Sequence, residues 1–173
     1  MTKRKLLTGV VLIVVLISAG LALPEKLVIP VQAATSLDWN HKTFWHAPWG
    51  KSGVHKGIDI FAAVNTPVLA STYGIVVFTG NFALGGKVIA VLGPKWRIHY
   101  YAHLNDITVS PGAFVSTSQN LGSVGRTGNA QGKPAHLHFS IISLLPYLWR
   151  TDMASQGWKK AFFLDPSERL LAG

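Results

Sequence analysis

The chain has 173 residues, with 16 Lys+Arg against 7 Asp+Glu, 7 His and no Cys, for a formal net charge of +9. That length suits one domain plus an extra segment, and an apolar share of 49% can build a core and does not fit a disordered chain. The lack of cysteine excludes disulfides, thiolate metal sites, thiol nucleophiles and a cysteine-linked lipid, so any metal must be held by histidine and carboxylate.

The N-terminus carries Lys3-Arg4-Lys5, followed by an uncharged stretch from Leu6 to Leu23. As a helix this stretch spans roughly 27 Å, close to the hydrocarbon thickness of a bilayer. Two readings fit. One is a signal peptide with an exit at Val31-Gln32-Ala33. The other is an uncleaved signal anchor, favoured by the length of the apolar run and by Pro24-Glu25-Lys26 standing between it and the candidate cut. Both keep the basic flank inside and place everything after Leu23 outside the cytoplasm. The expected division is therefore 1–33 as signal or anchor with linker, and 34–173 as the functional domain. That domain stays basic, which suits an anionic wall or membrane surface. No cluster of Lys and Arg interleaved with aromatics points to nucleic acid as a partner.

Residues Leu37 to Lys51 are rich in aromatics and turn formers and read as an irregular lead-in. From Gly57 to Ile142 short apolar runs alternate with Gly, Pro and Asn, a β pattern. Strands are expected at Val68–Ala70 and Gly74–Phe78 (as one strand, or two broken near Tyr73), at Lys87–Leu92 before a Gly93-Pro94 turn, and at Trp96–Leu104. Further ones are expected at Ile107–Val109, Phe114-Val115, Leu121–Gly125 and Leu137–Ile142. The spacing, without long helices between the runs, predicts an all-β domain of antiparallel sheets. Asp165-Pro166-Ser167-Glu168 has an N-cap, a first-turn Pro and an acidic third residue, so a short C-terminal helix is expected.

Three patterns carry chemistry. In His136-Leu137-His138, at the mouth of the last strand, the two imidazoles share a face and Leu137 points away. They can share a metal, or one can bind it while the other moves protons, or both can simply face solvent. His55-Lys56-Gly57-Ile58-Asp59 offers a histidine and a carboxylate, with Gly57 free to turn the backbone so that they converge. Two histidines and a carboxylate with an open fourth position make a catalytic zinc site. The third pattern is Tyr101-Ala102-His103-Leu104, in which His103 shares strand parity with Tyr101 and His99. His99 reads as a structural sheet histidine, and His41 and His46 as lead-in residues without a role. A His-Glu-x-x-His helix and a Gly-x-Ser-x-Gly elbow are both absent.

These pieces, in this order, resemble the lysostaphin-type, or LytM-like, zinc endopeptidases of bacterial cell walls. The resemblance runs from Pro48-Trp49-Gly50 through His55–Asp59, Tyr101–Leu104 and Gly122-Ser123-Val124-Gly125-Arg126-Thr127-Gly128 to His136-Leu137-His138-Phe139. It implies a sandwich-like antiparallel fold with a groove. It also implies one Zn2+ held by His55, Asp59 and His138, with His103 and His136 as the catalytic histidines. The implied substrate is peptidoglycan, cut at stem-peptide or cross-bridge bonds outside the cytoplasmic membrane. Membrane contact through the N-terminal helix is expected if that helix is uncleaved. The rival is a non-catalytic regulator or wall binder of the same fold, whose mark is substitution in the ligand set; here that set is intact. Zinc-binding histidines must be neutral, so activity is expected to fall as pH drops through the histidine range. Two departures from the family stand out: Ser140 follows Phe139 where Glu is frequent, and Asn65 replaces the usual Gly. Asn tolerates the left-handed turn that Gly would supply. The segment Phe82–Gly86 is short, so one groove wall is expected to be low.

Overall fold

The computed structural model describes residues 3–172; Met1, Thr2 and Gly173, at the outer ends of the two expected segments, lie outside it. Helix α1 covers Lys3–Ala22. Nine strands follow: β1 (Ile58–Phe61), β2 (Pro67–Leu69), β3 (Gly74–Phe82), β4 (Gly86–Gly93), β5 (Arg97–Ile107), β6 (Phe114–Val115), β7 (Asn120–Val124), β8 (His136–Ser143) and β9 (Phe163–Leu164). Helix α2 (Pro166–Leu171) closes the chain, capped as expected by Asp165, whose carboxylate accepts from the Ser167 N–H.

Every strand pairing is antiparallel. The main path runs β1-β8-β5-β4-β3-β6, with β9 beside β8 and the β2-β7 pair joined through β7 to β5. The side chains on one face of this curled sheet meet in one core, which includes Ile58, Ile60, Val91, Tyr101, Leu137, Phe139 and Leu121. The alternation along β8 is the physical cause of the division into two faces. Leu137 and Phe139 are fully buried in the core, while His136, His138 and Ser140 point to the other face.

Several expectations are corrected here. Strands β1 and β9 are not among those expected from the sequence. Both are short, and both are strands because they add to the edges of β8. The expected separate strand at Ile107 is the end of β5. His103 does not keep the parity of Tyr101 and His99. Its φ is +64°, a left-handed conformation that reverses the alternation. At this residue β5 changes partners: Ala102 still pairs with His138 of β8, and Leu104 already pairs with Val124 of β7. The His103 N–H leaves the ladder and donates to Gly85 O at 2.8 Å. Asn65 does adopt the left-handed turn conformation, with φ +71°.

The stretch between α1 and the lead-in packs into the domain. Leu27 and Val31 belong to the core. The Glu25 carboxylate, 4% exposed, forms a buried ion pair with Arg97 at the start of β5 and lies 3.5 Å from Nε2 of His99. His99 is thus a core residue held against Glu25 and Phe139.

Candidate metal centre

Strands β1, β8 and β5 lie side by side and put their outward residues on one face. Register places Asp59 opposite His138, Phe61 opposite His136, and Ala102 opposite His138 on its other side. This face floors a cleft of about 680 Å³, walled by Trp49, Leu84, Tyr100 and Phe163. Leu84 and Gly85, in the short Phe82–Gly86 segment, form one of its rims.

On this floor His55 Nε2 is 3.1 Å from Asp59 Oδ1 and 3.1 Å from His138 Nδ1, and His138 Nδ1 is 2.9 Å from Asp59 Oδ1. Three potential ligand atoms therefore form a near-equilateral triangle. Their partners set their protons. The His55 Nδ1–H donates to Thr43 O at 3.1 Å, which leaves Nε2 bare toward the carboxylate. His138 Nε2 lies 3.0 Å from Ser140 Oγ; in the tautomer that donates there, its Nδ1 is bare as well. Two lone pairs and a carboxylate oxygen facing one another repel unless a cation lies among them. The residues present thus fit a metal ion with nitrogen and oxygen ligands.

Burial opposes ionisation of Asp59, but the adjacent His138 and His55 imidazoles outweigh it and hold the carboxyl well below its usual range. Burial likewise pushes His138 down, against the pull of Asp59. Both shifts keep the triangle in its metal-binding protonation state, carboxylate ionised and imidazole neutral.

His103 and His136 stand beside the triangle. Their rings are 5.0 Å apart, and His103 is 6.0 Å from the His138 ring. His136 Nε2 is 3.9 Å from Asp59 Oδ2. The Nδ1–H of His136 donates to Pro134 O at 2.8 Å and that of His103 to Thr127 O at 2.9 Å. Both rings are thereby oriented with Nε2 available to the cleft. Burial, and then the proximity of His138 and His136, lower the His103 pKa to about 4, so it is neutral at physiological pH.

The remaining sequence motifs are supports for these rings. Trp49 stacks on His55 with centroids 4.1 Å apart and planes at 18°. The lead-in also brackets His55 by its backbone, through Trp45 N–H to His55 O and His55 N–H to His46 O. Thr127 carries His103 on its carbonyl, while its hydroxyl donates to Leu104 O and accepts from the Lys87 N–H. The chain bends at Gly57 and His55 and Asp59 converge, without a left-handed φ at the glycine. It is a close-approach glycine, since a Cβ there would lie 2.3 Å from Phe139 O and 3.0 Å from His138 Cε1. His41 and His46 lie outside the triangle, the first at 2.8 Å from Ser167 Oγ and the second edge-on to Trp49.

The support roles of Thr43, Pro134 and Ser140 were not legible in the sequence. Thr43 and Pro134 act through backbone carbonyls, which carry no side-chain signal. Ser140, which the sequence marks only as standing where Glu is frequent, is two residues from His138 on the same strand and so shares its face.

An antiparallel sheet carrying a His-Asp-His cluster in an open cleft, with two further oriented histidines, has the parts of a hydrolytic metal centre. Residues 53–146 match the model of Peptidase family M23, and the chain belongs to that family. The L-Ala--D-Glu endopeptidase of Bacillus subtilis is 34% identical over 113 residues, which is 60% of this chain and 35% of that protein. The peptidoglycan DD-endopeptidase ShyA of Vibrio cholerae is 35% identical over 88 residues, covering 51% of this chain and 20% of that protein. The chain thus matches about a third or less of these curated relatives. Among solved structures, the catalytic domain of lysostaphin from Staphylococcus simulans superposes with a TM-score of 0.61 and 27% identity, over 75% of this chain and 89% of that one.

Proposed function

We propose that this protein is an exported, zinc-dependent endopeptidase that hydrolyses peptide bonds in peptidoglycan, in its stem peptides or cross-bridges. The observation that carries the proposal is the triangle of His55, Asp59 and His138, whose bare ligand atoms face one another within 3.1 Å. The relatives named above are endopeptidases, which supports the substrate class.

His55, Asp59 and His138 would hold the zinc ion. Bound there, zinc lowers the pKa of a water toward about 7 and polarises a carbonyl. The chain's own contribution is orientation and proton handling. Thr43 and Ser140 fix the ligand rings, and Trp49 covers the back of His55. His103 and His136 present Nε2 into the cleft. A neutral Nε2 there accepts the proton of an attacking water, and a protonated one donates to the oxygen on which charge develops. The cleft's volume of about 680 Å³ and its apolar walls suit a peptide laid along the face of β1, β8 and β5.

The domain boundary belongs to the same proposal. Leu27 and Val31 in the core, and Glu25 in a buried ion pair, support a domain that begins right after α1, with α1 retained as an anchor. α1 is long and apolar enough to cross a membrane, which supports a place on the outer side of the cytoplasmic membrane.

The test is muropeptide analysis by mass spectrometry. The full chain in detergent would be incubated with purified peptidoglycan, with and without a zinc chelator. New fragments that vanish with chelator are expected, and their masses would identify the bond. Fragments that persist under chelation, or no fragments from several wall types with zinc bound, would overturn the proposal.

A further inference from the structure

The segment that follows β8 reads Leu144-Leu145-Pro146-Tyr147-Leu148-Trp149-Arg150, and the candidate active site uses none of it. Leu144 is 51% exposed, Leu148 68% and Trp149 80%. An apolar run this exposed on a folded domain marks a contact surface.

Its position says what it contacts. Leu144 and Leu145, together with Trp96, line an apolar crevice against Ile13, Leu16 and Ile17 of α1. The Trp96 indole N–H donates to Ile17 O, and its ring lies where a Cβ on Gly20 would stand. The Lys95 ammonium donates to Leu21 O. Thus the domain meets α1 on residues well inside the uncharged stretch, rather than beyond its end.

The arrangement is also fixed. Only Leu23 and Pro24 separate α1 from Glu25, and Glu25 is locked to Arg97. Arg97 in turn donates to the Tyr147 hydroxyl at 3.1 Å, and Tyr147 meets Trp149 edge-on at 5.2 Å. The anchor, the ion pair and the exposed segment form one connected unit. The uncharged run Leu6 to Leu23 is about 27 Å long as a helix, slightly short of a hydrocarbon layer of about 30 Å. The contacts run from the middle of that stretch to Leu21, so a membrane crossed by it takes in the surface that lies against it.

We propose that Trp96, Leu144, Leu145, Leu148 and Trp149 form a membrane-seating surface whose partner is the outer leaflet of the phospholipid bilayer crossed by α1. Leu144 and Leu145, level with Ile13 to Ile17, enter the acyl region. Tyr147 and Trp149, linked through Arg97 to Glu25 just beyond α1, take the interfacial belt that suits amphipathic aromatic rings. The catalytic domain is then seated on the membrane rather than tethered above it, and its cleft meets only the wall layer nearest the membrane.

The inference rests on the reading of α1 as an anchor, and the experiment reports that reading separately. The chain has no cysteine, so single cysteines can be placed and spin-labelled without background. Val11→Cys reports α1, Leu144→Cys and Trp149→Cys report the proposed surface, and Phe114→Cys reports an exposed apolar position on β6. Full-length protein is reconstituted in phosphatidylethanolamine–phosphatidylglycerol vesicles, and collisions with oxygen and with an aqueous nickel chelate are compared. Expected is a several-fold higher oxygen-to-nickel ratio at 11 and 144 than at 114, with an intermediate ratio at 149. A ratio at 144 equal to that at 114, with 11 lipid-exposed, overturns the seating surface and leaves the anchor standing. Water exposure at 11 overturns both.

Discussion

Ser140 Oγ lies 3.0 Å from Nε2 of His138, the nitrogen remote from the ligand triangle. A neutral hydroxyl therefore occupies the place where a partner must orient the ring. Ser140→Ala removes that partner and frees the ring to take the other tautomer. We expect zinc affinity to fall by about 10- to 100-fold with little change in thermal stability, measured by competition with a fluorescent chelator. Unchanged affinity would show that the triangle needs no such support.

The two pairs of histidines are expected to separate in their failures. Asp59→Ala or His138→Ala should lose zinc and activity together, because each supplies one corner of the triangle. His103→Ala should keep zinc and lose about 10²- to 10⁴-fold in kcat, the range for a positioned acid or base. Metal analysis of the purified variants beside turnover on peptidoglycan checks both. Near-normal turnover by His103→Ala would refute its proton-handling role.

Gly57 lies beside β8 at the start of β1, and its substitution should be felt at the metal centre. A methyl group there meets Phe139 O at 2.3 Å and Ser140 Oγ at 2.5 Å. Backbone cannot yield as a side chain can, so Gly57→Ala should cost about 1–3 kcal/mol and displace His138. Calorimetry and zinc titration of the same variant would show both effects. A stable variant with intact zinc affinity would mean that β1 and β8 separate freely.

The Glu25–Arg97 pair makes stability depend on acid. Burial raises the Glu25 pKa, but His99 and Arg97 together more than reverse this and hold it below the ordinary carboxylate value. A depressed folded-state pKa contributes stability above the unfolded value, and that contribution is lost as pH falls through the folded one. The melting temperature of the full chain in detergent should therefore drop as pH falls below the ordinary carboxylate range. Glu25→Ala should lose about 3 kcal/mol at neutral pH by leaving Arg97 buried and unpaired, and should flatten that acid dependence. A wild-type acid slope retained in Glu25→Ala would assign it to other carboxylates.

What was legible in the sequence is what local rules write. The apolar runs of α1 and β4, the period-two pattern of β8, the capped α2 and the shared face of His136 and His138 all depend on residues within a few positions of one another. The order of motifs added the family, and with it the candidate ligand set. The tertiary structure decided the rest, because it turns on pairing between distant segments. β1 is a strand only because it has the edge of β8 to join. His103 reverses its parity only because β5 changes partners beside it. Ser140, Thr43 and Thr127 become ring supports only once the register brings their oxygens to imidazole nitrogens. Glu25 reads as a polar residue after a membrane segment, and it is a buried partner of Arg97 because the fold brings the start of β5 to the end of α1. Periodicity and capping are properties of consecutive residues, whereas strand register and buried charge pairing belong to contacts that no local stretch contains.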